Sequence, residues 1–392
     1  MNSNQSACWS SPEPDARLVA HLFPERKGFV KGLYYCDWFE VYASNLALAV
    51  AAASHQVTLI AREPSPEHGG RKEDAQKLRQ ELLQGGVNLQ VLTGRHSSVA
   101  SLFKLRKIIR QNQLTRYDYF HIQQTRDPRF LCAAYFFPTV LTLHEPGPRE
   151  GVTQTLNVRS RSTAVIEYLY RRLADLIVVH TEAGLQNLSP NERSKAVVIP
   201  HGVRTSAGDR REPSRTVLFF GRAVKYKGIN ILLSAMAEVW KVEPRARLRI
   251  LASPGDDEYR QQTQDGRVTA TWDGYSEAEL DSELSRAGAV CLPYLSATGS
   301  GVGSRAYGAG IPIVASDLEG IRELASHEDL VVEPANVADL ARALLLALSN
   351  DYGIQSTDPQ RTWPGVARAH IEYYDTIVTK YAHKPKQGLG QR

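Results

Sequence analysis

Short apolar runs alternate with amphipathic helical runs almost throughout this 392-residue sequence, and the alternation stops once and then resumes. Such runs, bounded by turn residues and separated by helical patterns, predict a parallel sheet covered on both faces by helices. In the first half the predicted strands are "RLVAHLF" (17–23), "QVTLIA" (56–61), "NLQVLT" (88–93), "YFHIQ" (119–123), "VLTLHE" (140–145), "LIVVHT" (176–181) and "AVVIPHG" (196–202). Helices are predicted at 40–54, 71–84, 99–112 and 160–174. The polar, aperiodic stretch "RTSAGDRREPSR" (204–215) reads as a linker. Beyond it, strands are predicted at "TVLFFG" (216–221), "RLRILA" (247–252), "VTATW" (268–272), "AVCLPY" (289–294), "IPIVAS" (311–316) and "DLVVEP" (329–334). Helices are predicted at 276–287, 337–350 and 367–382, the first opened by a capping box of Ser276 and Glu279. The pattern implies an α/β protein of two doubly wound domains in tandem. Folds of this kind bind ligands beyond the carboxyl ends of their strands, so two of them face each other across a cleft.

Composition narrows the classes. Hydrophobic residues at 42% and charged ones at 23% are those of a globular protein. No apolar run reaches the ~18 residues of a membrane span. The start, "MNSNQSACWSSPEPD", lacks the basic and apolar regions of a signal peptide; it and the end, "HKPKQGLGQR", read as polar tails. Four widely spaced cysteines without a CxxC pair argue against a zinc site or a disulfide scaffold and favour a reducing cytoplasm. A net charge of +5 is spread thinly, with no dense basic stripe or nucleic-acid module. The segment "SLFKLRKIIRQNQLTR" (101–116) sets leucines and isoleucines on one side and cations elsewhere. A helix of that kind lies on an anionic membrane surface or, more commonly, packs on a sheet with a solvated charged face.

Two stretches carry chemistry. "FFGRAVKYKG" (219–228) sets Arg222, Lys225 and Lys227 between a strand and the start of a helix, where cations oppose the positive dipole end. An anion held by Arg222, Lys227 and the free helix N–H groups would offset that cost; the alternative is a solvated turn, and Lys225 reads as surface. "ATGSGVGSRAYGAGIPIVAS" (297–316) joins two strands through Thr298, Gly299, Ser300 and Gly301, a backbone bare enough to approach an anion at a helix start. Glycines serving only tight turns are the alternative.

These stretches resemble the retaining GT-B glycosyltransferases, family 4 in particular. "FFGRAVKYKGINILLSAM", "YSEAELDSELSRAGAVCLPY", "GAGIPIVASDLEGIREL" and the interdomain "VVIPHGV" are similar to family motifs. The likeness is specific over most of 195–350 and looser from 15 to 195. It implies a nucleotide-sugar domain at 204–392 and an acceptor domain at 15–203, with the last helix crossing back to the first domain. It further implies a UDP- or GDP-linked donor, no metal or other cofactor, and an acceptor the sequence does not identify. By the resemblance, Arg222 and Lys227 hold the donor diphosphate beside Gly221, and Ser300, Gly301 and Val302 contact phosphate through backbone amides. Trp272 and Tyr275 fall where the base sits, although core packing at the strand end suits Trp272 slightly better. His144, ending "VLTLHE", matches a family histidine that touches the donor sugar; a satisfied strand-end histidine is the alternative, and His121 reads as structural. Glu323 matches a trailing family glutamate or caps a helix.

The sequence departs from the family at two places. The paired glutamates, eight residues apart, are replaced by Ala297 and Arg305, and "TGSGV" resembles a branch with a Thr-x-Ser-Gly-Val loop. The segment "PERKGFVKGLYYCDWFE" (24–40), expected as a loop reaching the cleft, has Gly28 and Gly32 without the family's Gly-Gly pair. A glycosyltransferase fits best. A catalytically degenerate scaffold, and an epimerase or phosphorylase of similar fold, are the competing classes.

Overall fold

The computed structural model describes residues 30–382 except 38, 63–71, 93–116, 145, 147–160, 206–213, 254–264, 298, 323, 326–329 and 350–356. In the first domain, strands β1 (Lys31–Cys36), β2 (Gln56–Arg62), β3 (Asn88–Leu92), β4 (Tyr119–Gln123), β5 (Thr139–Thr142), β6 (Leu176–Val179) and β7 (Ala196–Val198) form one sheet. Its order is 3-2-1-4-5-6-7 with every pairing parallel. Helices α1 (Glu40–Ala52), α2 (Lys72–Gln84), α3 (Leu131–Phe136), α4 (Arg161–Leu173), α5 (Glu182–Gln186) and α6 (Pro190–Arg193) connect the strands.

The second domain repeats the plan. Strands β8 (Thr216–Arg222), β9 (Arg247–Ser253), β10 (Val268–Thr271), β11 (Ala289–Leu292), β12 (Ile313–Ser316) and β13 (Val331–Val332) pair in parallel in the order 10-9-8-11-12-13. Helices α7 (Ile229–Val242), α8 (Glu277–Arg286), α9 (Gly301–Gly308), α10 (Glu319–Arg322) and α11 (Val337–Leu348) cover its faces. Each sheet buries apolar side chains on both sides, as its continuous Val, Ile and Leu runs demand. The α/β, doubly wound expectation therefore holds. In both sheets the strand order reverses at the central pair, β1/β4 and β8/β11, which opens a crevice at the carboxyl ends.

The final helix α12 (Trp363–Ala382) packs on the first domain: Val366, Ala367, Ile371, Tyr374 and Ile377 belong to that domain's core. Two contacts lead the chain back. Val203 N–H donates to the Arg361 carbonyl at 2.8 Å, and Gly202 lies so close under Trp363 that a Cβ there would stand 2.4 Å from the indole.

One expectation is corrected. The segment "KGLYYC", read as part of a cleft loop, is the central strand β1. Its two tyrosines obscured it, because both hydroxyls find buried partners. The Tyr34 hydroxyl donates to the Tyr374 hydroxyl at 3.0 Å, and that of Tyr35 to Asp127 Oδ2 at 2.6 Å. With those bonds made, both side chains are 0% exposed. The predicted strand at 17–23, the helix at 99–112 and the basic segment 101–116 lie outside the described residues.

Candidate functional site

A cavity of about 230 Å³ lies where the carboxyl ends of the two sheets meet, lined from both domains. On the second-domain side the turn after β8 sets Lys227 into it. Lys227 is 7% exposed, not at the cleft surface as a solvated cation would be. Its Nζ donates to the Tyr294 hydroxyl at 3.1 Å and stands 4.9 Å from the centre of that ring. Burial holds the Tyr294 phenol well above its usual range, so it stays protonated and can pass a hydrogen bond to Ser300 Oγ at 3.3 Å. Ser300 caps α9 by accepting from Gly303 N–H at 3.0 Å, and the start of α9 at Gly301 and Val302 lines the same cavity. Gly221, with φ +117°, makes room for the lysine: a methyl group there would stand 2.9 Å from Nζ.

On the first-domain side, three strands are each followed closely by a histidine. His144 follows β5, His180 follows β6 and His201 follows β7, and all three line the cavity. His144 stacks on Phe39 at 3.7 Å, while Tyr42 packs against all three imidazoles at 4.8–5.0 Å between ring centres. His180 Nε2 lies 3.1 Å from His144 Nδ1, and His180 Nδ1 lies 3.0 Å from the Ile199 carbonyl. Burial and the neighbouring imidazoles hold His144 well below the ordinary histidine range and His180 at about 3; burial also lowers His201. All three are therefore neutral at pH 7. Among the described residues no group of His, Cys, Asp and Glu is placed to hold a metal ion. The described lining carries Lys227 and Arg361 but no carboxylate, an arrangement suited to an anion.

The domains approach closely across this cavity. A methyl group on Gly301 would stand 3.8 Å from His201 Nε2, and one on Gly299 would stand 3.9 Å from Thr181 Cγ2.

Residues 39–207 match the model "Glycosyltransferase Family 4", and residues 214–350 match "Glycosyl transferases group 1". It is a family 4-like GT-B protein. A phosphatidyl-myo-inositol mannosyltransferase of Mycobacterium leprae is 30% identical over 47% of this chain and 55% of its own length. A GDP-mannose:glycolipid 4-beta-D-mannosyltransferase of Xanthomonas campestris is 28% identical over 40% of this chain and 48% of its own. The chain thus spans about half the length of the curated relatives it matches. The solved structure of Anabaena HepE in complex with UDP and glucose shares the fold at a TM-score of 0.60 and 19% identity, covering 90% of this chain and 98% of that one.

Within the GT-B cleft, Lys227, His144, Ser300, Gly301 and Val302 come together as lining residues, with Gly221 packed directly behind Lys227 and Val302. Four other candidates stand outside the lining. Arg222 ends β8 with an exposed side chain. Trp272 packs on the second domain's core. Tyr275 packs on the opposite side of the same sheet, and burial raises its pKa. Arg305 turns to α8, where it pairs with Asp281 and stands 3.9 Å from Glu277, so its charge is already countered. Thr298 and Glu323 lie outside the described residues. The sequence reading missed His180, His201 and Tyr294. A signal was present, since "VLTLH", "LIVVH" and "VVIPH" are three apolar runs each closed by a histidine.

Proposed function

We propose that the protein is a retaining glycosyltransferase that moves a sugar from a nucleotide-diphosphate donor to an acceptor hydroxyl on a glycan, glycolipid or secondary metabolite. The observation that carries this reading is Lys227 beside the amide end of α9, in a cavity without a described carboxylate. As the bond from the anomeric carbon to the diphosphate oxygen breaks, negative charge grows on the leaving group. A buried ammonium and the N–H groups of Gly301 and Val302 are aimed at that charge before it develops, and no metal is needed in this reading. The acceptor oxygen bonds to the same face of the anomeric carbon, and its proton passes to the departing diphosphate. His144 stands on the opposite wall, where the sugar would lie.

The names of the relatives make GDP-mannose the first donor to test, with UDP-glucose second because the Anabaena structure holds UDP and glucose. A donor at about a hundred times its Kd adds about 2.7 kcal/mol of stability, which a thermal-shift screen of UDP and GDP sugars would register. Absence of stabilisation by every nucleotide sugar removes the donor assignment. For an active donor–acceptor pair, NMR of the product anomer tests retention, and an inverted linkage overturns it.

A further inference from the structure

The hydrogen bonds around His144 form a chain whose direction is fixed at one end. The Ile199 carbonyl can only accept, so His180 carries its proton on Nδ1. A neutral His180 then has an unprotonated Nε2, and the His144 Nδ1 that faces it at 3.1 Å must supply the proton. A neutral His144 is left with a lone pair on Nε2. That nitrogen lies 2.9 Å from one end of the Gln123 side-chain amide, whose other end faces His121 Nε2 at 3.4 Å. With the Gln123 oxygen toward His144, Nε2 also needs a proton, and the pair must hold an imidazolium beside two further imidazoles. A half-turn of the amide removes the extra charge: the NH₂ donates to His144 Nε2, and the oxygen faces a His121 Nε2–H that donates chiefly to Thr142 Oγ1 at 2.8 Å. His121 Nδ1 is then free to accept from the Tyr374 hydroxyl at 2.7 Å, which in turn accepts from Tyr34. Each ring nitrogen of His121, His144 and His180 now has a complementary partner without a buried charge.

We propose that His180 is a positioning residue that fixes His144 as its Nδ1–H tautomer, so that Nε2 accepts one hydrogen bond, from the Gln123 amide at rest and from a ligand hydroxyl in the cleft. The ligand half rests on the glycosyltransferase reading; the tautomer does not. The neutrality the chain requires agrees with the depressed basicity of both imidazoles. A consequence for specificity follows. The sugar group that replaces the Gln123 amide must be a donor, a hydroxyl or an amide N–H. A carboxylate at that place, as in a uronic acid, would set acceptor against acceptor.

The test is two-bond ¹⁵N–¹H NMR on the full chain labelled with ¹⁵N-histidine, at pH 7.5 without ligand, with His144 assigned by the signals lost in His144→Asn. The expected spectrum shows a protonated Nδ1 and an unprotonated Nε2. A proton on Nε2, alone or with one on Nδ1, overturns the proposal in the wild type, whatever the variants do. In His180→Phe the acceptor for Nδ1–H is gone, and the proton should move to Nε2, facing the Gln123 oxygen. His180→Gln, whose amide oxygen can accept from Nδ1–H, should restore the original pattern. An unchanged tautomer in a folded His180→Phe protein also overturns it. Since no donor is present, these outcomes stand apart from any failure to transfer sugar.

Discussion

Lys227 is the residue on which the proposed chemistry turns most directly. Replacing it with methionine keeps the length of the side chain and removes the charge, so no large cavity forms. A preorganised stabiliser of a developing anion is worth on the order of 100–1000-fold in turnover, and Lys227→Met should lose that much. Its thermal midpoint should hold within about 4 °C, since a buried ammonium is costly to keep dry. Arg222→Ala should cost less than about tenfold, because its exposed charge acts through water. Turnover within about threefold of wild type in a folded Lys227→Met protein would remove the diphosphate role. Much of this site is legible in the sequence, since glycine loops and cations at strand ends are local features. What is not legible depends on distant partners. One strand-end histidine carries little information, and three become a site only when β5, β6 and β7 prove to be neighbours. Arg305 invites a functional reading until α8 supplies Asp281, 24 residues away in the chain.

The turn between β8 and α7 imposes a stricter demand on its glycine than other turns do. Gly228 has φ +67°, and a methyl group there would fall 1.9 Å from the Pro293 carbonyl oxygen. Three Gly→Ala variants separate backbone strain from collision. Gly266→Ala, with open space and no positive φ, should leave stability unchanged within about 0.5 kcal/mol. Gly86→Ala, also in open space but at φ +76°, should cost about 1 kcal/mol. Gly228→Ala adds a clash with backbone that cannot swing away, and should cost about 3–4 kcal/mol. Urea unfolding of the three proteins checks the order, and equal costs for Gly86→Ala and Gly228→Ala would show that the turn relaxes freely. Element types were legible for a related reason. A strand buried on both faces must be an apolar run, so "TVLFFG" and "AVCLPY" announce themselves. The strand β1 does not, because Tyr34 and Tyr35 look like surface residues until Tyr374 of α12 and Asp127 supply their bonds.

Across the whole molecule, the unusual electrostatic feature is a line of neutral imidazoles from the cleft to the packed face of α12. His121, His144, His180, His201 and His370 all have pKa values lowered chiefly by burial, with His180 at about 3 and His370 at about 4. In the unfolded chain each binds a proton below about pH 6.5, whereas in the folded protein it does so only at lower pH. Unfolding therefore takes up protons, and stability falls as pH drops below about 6.5, by about 1.4 kcal/mol per pH unit for each net proton. Glu40, whose pKa burial raises, opposes this as a single group at lower pH. At the alkaline end the buried phenols of Tyr34, Tyr42, Tyr119 and Tyr374 resist ionisation, so stability should fall again above about pH 10. His370 offers the cleanest check, since its Nδ1 bonds the Val366 carbonyl at 2.9 Å while its buried Nε2 has no hydrogen-bond partner among the described residues. Unfolding free energies measured in urea from pH 7.5 to 5 should fall steeply in wild type. In His370→Phe the slope should be shallower by about one proton, whatever the variant's stability at pH 7.5. A flat profile in wild type would mean that these histidines titrate in the folded state as they do in the unfolded chain. Equal slopes in the two proteins would clear His370 alone and leave the acid sensitivity to the four nearer the cleft.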